Sequence, residues 1–187
     1  MKFNQLGLSE DLQKAVADLG FENPTPIQER TIPSLLNENK DIVALAQTGT
    51  GKTAAFGLPL LGKINVNSKK TQALILAPTR ELCVQISNDL KNFSKYILGM
   101  RLLPVYGGAA ISNQINDLKR GVHVVVATPG RLVDLIERNA IQLGEVDYVI
   151  LDEADEMLNM GFKDDLDSIL AQTPPTKNVW LFSATMA

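Results

Sequence analysis

Cysteine is almost absent from this 187-residue chain: Cys83 is the only one. No internal disulfide can form, a reducing cytoplasmic compartment is the expectation, and Cys83 reads as a small core residue. Histidine is as scarce. His123 stands alone in Val122-His123-Val124-Val125-Val126. With no second histidine it cannot complete a zinc site, so a histidine satisfied within a strand is expected. A basic excess is missing too: Lys and Arg number 18 against 21 Asp and Glu, a net charge of −3. That excludes a broadly basic surface, and any nucleic-acid binding must come from a few placed groups. No apolar run approaches the ~20 residues that span a bilayer. The N-terminal Met1-Lys2-Phe3-Asn4-Gln5 is not a signal peptide, so no membrane partner is expected. Repeats and low-complexity tracts are absent, and only Asn65-Val66-Asn67-Ser68-Lys69-Lys70 reads as a linker-like loop. The length suits one domain with a sizeable core.

Short apolar runs recur at 42–46, 73–77, 102–105, 122–127, 146–151 and 179–182. Most are β-branched and do not alternate, which suits strands buried on both faces of a parallel sheet. Helical spacing lies between them. Leu82, Ile86, Leu90 and Phe93 form one apolar face. Ile111, Ile115 and Leu118 form another, with Gly121 as its stop, and Leu132, Leu135 and Ile136 a third. Strands joined by helical crossovers predict an α/β fold, a doubly wound, mostly parallel sheet with helices on both faces.

Ala46-Gln47-Thr48-Gly49-Thr50-Gly51-Lys52-Thr53 follows the first run and precedes a helix-like stretch. Strand, glycine-rich loop and helix together make a phosphate-binding loop. Its glycines let successive N–H groups curl around phosphates, and the helix N-terminus adds positive potential. Lys52 can reach the terminal phosphates of a nucleoside triphosphate, and the Thr53 hydroxyl can hold Mg²⁺. The strict pattern places glycine where this chain has Ala46, a departure of one methyl group.

Six polar clusters follow the ends of apolar runs: 47–53, Pro78-Thr79-Arg80-Glu81, Gly107-Gly108, Thr128-Pro129-Gly130-Arg131, Asp152-Glu153-Ala154-Asp155 and Ser183-Ala184-Thr185. In a parallel sheet all the strand C-termini lie on one edge, where α/β folds bind ligands. Each cluster alone could be ordinary turn chemistry; together they predict a single functional rim. Three carboxylates in the acidic quartet would repel one another without a cation. Beside a phosphate-binding loop, Asp152 is placed to hold Mg²⁺ and Glu153 to orient or deprotonate an attacking water. The competing reading is an acidic first turn of a helix.

With these motifs in this order, from Phe3 to Met186, the chain resembles the N-terminal RecA-like lobe of the DEAD-box RNA helicases. Gly20-Phe21, Pro24-Thr25-Pro26-Ile27-Gln28 and Pro78-Thr79-Arg80-Glu81-Leu82 belong to the same match. Ala46 in the first loop position is usual for that family. The resemblance implies ATP and Mg²⁺ as cofactors and RNA as partner. It implies adenine recognition by Gln28, with Phe3 and Phe21 beside the base. Read from the residues alone, Thr25 to Gln28 is a capping box with proline at the first helical position, and Phe3 is an apolar residue ahead of a helix capped by Ser9. The resemblance further implies sequence-independent contacts to the RNA backbone by Thr79, Arg80, Gly107, Gly108, Thr128, Gly130 and Arg131. Asp155, Ser183 and Thr185 would couple the ATP site to RNA. The bland alternatives are a cap at Thr128-Pro129, a tight turn at Gly107-Gly108 and an ion pair at Arg80.

A GTPase would need an Asn-Lys-x-Asp base reader, which Asn39-Lys40-Asp41 misses by one position. The signature of transporter ATPases is absent. The rival expectation is an ATP-gated RNA clamp or adaptor lobe that works through partners without unwinding. Residues 1–38 read as an adenine-recognition flank and 39–187 as the ATP-binding lobe. The chain reads as a monomeric fragment awaiting a second RecA-like lobe whose arginines complete the active site, so the lobe alone is expected to be nearly inactive.

Overall fold

In the computed structural model, which describes residues 1–185, six strands form one sheet. Met186, the last residue of the family resemblance, lies outside the described residues. The strands are β1 (Ile42–Leu45), β2 (Ala73–Leu76), β3 (Leu102–Val105), β4 (Val124–Ala127), β5 (Tyr148–Asp152) and β6 (Asn178–Ser183). They are ordered β1-β6-β5-β2-β4-β3, and every pairing is parallel. All four residues of β2 and of β4 are buried, as their unalternating sequences predict.

The sheet divides the core in two. Ala73 and Ile75 of β2, with Val124 and Val126 of β4, face one apolar cluster. Leu74, Leu76, Val125 and Ala127 face the other, the two-residue period of a strand. The first face is covered by α1 (Glu10–Asp18), α2 (Pro26–Asn37), α3 (Lys52–Gly62) and α4 (Arg80–Phe93). The second carries α5 (Ile111–Lys119), α6 (Pro129–Glu137), α7 (Ala154–Asn159) and α8 (Lys163–Ala171). Helices on both faces of a parallel sheet give the doubly wound fold. Phe3, Leu12, Val16, Ile32 and Leu35 share their cluster with Phe56 and Phe182, so residues 1–38 pack into the same core as the strands that follow.

Local chemistry sets the helix ends. Ser9 and Thr25 accept hydrogen bonds from Leu12 and Gln28 N–H, and Thr79 caps α4 through Leu82 N–H. Gly121, at φ +92°, follows the last turn of α5. On α4, Ile86, Leu90 and Phe93 are buried and Leu82 partly so. Cys83 is buried, and burial pushes its thiol up to about 12, leaving it an inert core residue. His123 is buried with both ring nitrogens engaged. Its Nδ1 accepts from Arg101 N–H at 3.0 Å. Its Nε2 therefore carries the proton and donates to Ser68 O at 2.8 Å. The histidine pins the 65–70 loop to the start of β3, with no metal role to fill. Among the described residues no helix is long and apolar enough to cross a membrane.

Candidate functional site

The parallel sheet brings all six polar clusters to one rim, and the strand order sorts them. The loops after β1, β6 and β5 lie on one half, and those after β2, β4 and β3 on the other.

On the first half, the phosphate-binding loop leaves β1 and enters α3. Ala46 is buried, and its N–H donates to Ser183 O at 2.9 Å, so the extra methyl is accommodated inside. Gly49 and Gly51 both have φ +80°, a backbone region that strains other residues. A Cβ on Gly51 would also run into Gln28 Nε2. Thr50 Oγ1 donates to Gln47 O at 2.6 Å and braces the turn. Gln47, Thr48 and Gly49 are exposed, while Thr53 is half-buried on the first turn of α3.

Lys52 opens α3 and is nearly buried. Its Nζ lies 3.1 Å from Asp152 Oδ1 and 3.5 Å from Glu153 Oε2. Asp152 is fully buried at the end of β5, its Oδ1 paired with Lys52 and its Oδ2 outside hydrogen-bonding geometry. Lys52 meets Oδ1 as an ion pair. Burial raises the Asp152 pKa, and the neighbouring Lys52 charge only partly offsets the rise. A buried carboxylate with one cationic neighbour and a second oxygen outside hydrogen-bonding geometry remains costly. Such a pair of oxygens is the donor chemistry a hydrated divalent cation takes. The chemistry of Asp152 therefore fits a Mg²⁺ ligand, and Thr53 on the first turn of α3 carries a hydroxyl of the same oxygen-donor class. Glu153 has φ +53° and ψ +51°, a left-handed conformation that costs a non-glycine residue about 1–2 kcal/mol. This bend opens α7, and the Glu153 carboxylate shares Lys52 Nζ with Asp152.

Gln28 is buried and serves two ends. Its Oε1 accepts from Thr25 N–H at 2.9 Å, closing the capping box. Its Nε2 donates to Gly51 O at 3.0 Å, tying α2 to the phosphate-binding loop. Phe3, Phe21, Thr25 and Gln28 line a cleft of about 490 Å³ together with Gly49 and Gly51. Phe3 and Phe21 pack at 5.6 Å between ring centroids, and Phe21 meets Phe93 at 6.3 Å.

Beside this group, Ser183 Oγ accepts from Asp155 N–H at 3.3 Å, and Thr185 Oγ1 donates to Asp155 Oδ2 at 3.0 Å. Burial works to raise the Asp155 pKa, but the Thr185 and Ser183 hydroxyls with the local N–H groups outweigh it and lower the value. The end of β6 is thus hydrogen-bonded to the first turn of α7.

On the second half, Arg80 makes no ion pair among the described residues. Its guanidinium lies 5.0 Å over the ring of Tyr106, in place of the carboxylate considered from sequence. Gly108 has φ +86°, and a Cβ there would meet Arg80 Nη1 at 3.1 Å. Arg131 is half-buried and its Nη1 donates to Ala109 O at 3.2 Å and to Gln114 Oε1 at 2.9 Å. Thr128 stands at the N-cap of α6 without a side-chain capping bond. Open space surrounds Gly107 and Gly130 where a Cβ would stand. Tyr106 and Gln114 were not legible as site residues. Tyr106 carried a signal, an aromatic at a strand end directly before two glycines; Gln114 carried none.

The comparisons agree on the family of this arrangement. Residues 25–187 match the profile described as DEAD/DEAH box helicase. The ATP-dependent RNA helicase CshA of Listeria monocytogenes is 54% identical over 185 residues, which is 99% of this chain and 35% of that protein. The DEAD-box ATP-dependent RNA helicase CshA of Geobacillus kaustophilus is 52% identical over 98% of this chain and 39% of its own length. The crystal structure of a DEAD box protein from the hyperthermophile Methanococcus jannaschii superposes with a TM-score of 0.95 at 46% identity. It covers 100% of this chain and 51% of that one. The chain thus spans between 35% and 39% of the length of the curated relatives described.

Proposed function

Because the chain belongs to the DEAD/DEAH box helicase family, we propose that it is the ATP-binding lobe of an ATP-dependent RNA helicase that remodels or locally unwinds RNA. The observation that carries this reading is Asp152. It is a fully buried carboxylate paired at 3.1 Å with the lysine of a phosphate-binding loop. Lys52 and the N–H groups of 48–53 bind the ATP phosphates, and Thr53 and Asp152 hold Mg²⁺. The cation, when bound, neutralises charge on the phosphates. Lys52 must turn from the carboxylates to the phosphates on ATP binding, which frees Glu153 to accept the proton of the attacking water.

The cleft with Phe3, Phe21 and Gln28 takes adenine. A glutamine amide has two donor hydrogens and two acceptor lone pairs. The bonds to Gly51 and Thr25 use one of each. One donor and one acceptor remain, the pair that adenine N7 and N6 require and that guanine does not match. Gln28→Ala is therefore expected to weaken ATP more than GTP, and to lose about 1 kcal/mol of stability with the capping box. Competition binding with both nucleotides and a thermal melt check it. A variant that loses stability but keeps its ATP preference limits Gln28 to capping.

Thr79, Arg80, Gly107, Gly108, Thr128, Gly130 and Arg131 meet the RNA backbone on the other half of the rim. Asp155, Ser183 and Thr185 couple the ATP half of the rim to the RNA half. Contacts to phosphate and ribose position RNA without reading its sequence. Arg131→Ala is expected to weaken RNA binding equally across sequences and to reduce the salt dependence by about one charge. Fluorescence titrations with two unrelated single strands at several salt concentrations read both, and a sequence-selective loss contradicts the backbone reading. A second RecA-like lobe supplies the missing arginines, the lobe is a monomer, and the protein works in the cytoplasm. The decisive measurement is ATP turnover and duplex separation by the complete protein with and without RNA. Turnover indifferent to RNA sinks the proposal.

A further inference from the structure

Helix α5 buries one residue, and it is Gln114, only 6% exposed. Its apolar neighbours Ile111, Ile115 and Leu118 are merely partly covered. An amide is a costly choice for a buried position unless both its ends are paired, and here they are. Nε2 donates to Tyr106 O at 3.2 Å, and Oε1 accepts from Arg131 Nη1 at 2.9 Å. The same Nη1 donates to Ala109 O. Tyr106 and Ala109 flank Gly107-Gly108 on either side. The pair Gln114–Arg131 therefore holds the carbonyls at both ends of the glycine turn.

Two consequences follow. In a trans peptide the C=O and the next N–H point in opposite directions. Drawing the Tyr106 and Ala109 carbonyls toward Gln114 and Arg131 turns the N–H groups of Gly107 and Ala110 away from them. Neither N–H donates a hydrogen bond within the described residues. Arg131 is affected likewise. With Nη1 anchored, the planar fork is held in one orientation, and Nε and Nη2 have no partner among the described residues. A pre-oriented guanidinium loses less entropy on gripping a phosphate than a free one.

We propose that Gln114 is a positioning residue for RNA: by holding Tyr106 and Arg131 it presents the glycine-turn N–H groups and the free edge of the Arg131 guanidinium to backbone phosphates. This rests on the reading of this half of the rim as an RNA surface, and it adds a residue that itself touches no RNA.

The test is a double-mutant cycle in the complete protein, with Gln114→Leu, Arg131→Ala and the pair, titrated with a labelled single-stranded poly-uridine RNA at several salt concentrations. Each single variant is expected to lose about tenfold in affinity. The pair should lose well short of the roughly hundredfold that independent sites would give. ATP affinity should be unchanged in Gln114→Leu. Gln114→Glu serves if the leucine variant fails to fold. It keeps the acceptor for Arg131 but cancels its charge, and should lower the salt slope by about 0.7, as loss of one phosphate contact does. If Arg131→Ala weakens RNA and both Gln114 variants bind it normally, Gln114 is only a structural residue. If Arg131→Ala itself leaves RNA affinity intact, the RNA reading of this surface fails and takes the proposal with it. Additive losses in the cycle also overturn it.

Discussion

Lys52→Ala is expected to abolish ATP·Mg²⁺ binding and to destabilise the fold in the same step. The first loss follows from removing the cation that the proposed function places on the phosphates. The second follows from Asp152. Breaking a buried pair by deleting one partner costs about 3–5 kcal/mol, because the other charge is left uncompensated. Asp152 is fully buried and Lys52 Nζ, at 3.1 Å, is the nearest countercharge to it. The pH dependence has a definite sign. Burial raises the Asp152 pKa above its ordinary 3.8 and Lys52 holds the rise back. A carboxyl with a raised folded pKa contributes stability that is full below 3.8 and lost as pH climbs through the folded value. Removing Lys52 raises that value further. The variant's deficit should therefore be largest near neutrality and shrink in acid. Adding Asp152→Asn should recover much of the stability and none of the ATP binding. Nucleotide titrations and urea unfolding at acid and neutral pH read all of this. Unchanged ATP affinity, or a stability deficit that grows on acidification, contradicts it.

Glu153→Gln is expected to bind ATP normally and to lose about 10²–10⁴ in hydrolysis, the usual contribution of a positioned general base. The amide keeps the shape of the side chain and removes its basicity. Glutamine is no better suited than glutamate to φ +53°, so the bend that opens α7 should persist and stability should change little. The charge pairing with Lys52 across 3.5 Å is removed, which should ease the movement of Lys52 to the phosphates. Phosphate release by the complete protein with saturating RNA measures the effect, and an ATP titration shows that binding survives. Wild-type turnover would remove Glu153 from the water-activating role and leave it as a partner of Lys52.

Much of this was legible residue by residue. The phosphate-binding loop announces itself because its chemistry is local: consecutive residues supply the glycine conformations, the lysine and the hydroxyl. The apolar runs predicted all six strands, with β4 and β5 starting two residues later than their runs. A run buried on both faces needs no partner to be recognised, and Gly121 stops α5 for the same local reason. Tertiary structure decided what touches what. Thr25 to Gln28 reads as a capping box, and it is one, yet the same amide also grips Gly51, 23 residues away. Arg80 met an aromatic ring where a carboxylate was considered. Gln114, surrounded in sequence by ordinary helix residues, became the clamp between the loop after β3 and the first turn of α6. The strand order is the largest such decision. The sequence determined that six polar clusters follow six apolar strands. Only the order β1-β6-β5-β2-β4-β3 divides them into a half with Lys52, Asp152 and Glu153 and a half with Arg80, Gly108 and Arg131. Parallel neighbours are joined through long crossovers, so adjacency in the sheet depends on pairings between distant segments and leaves no mark in the residues of any one strand.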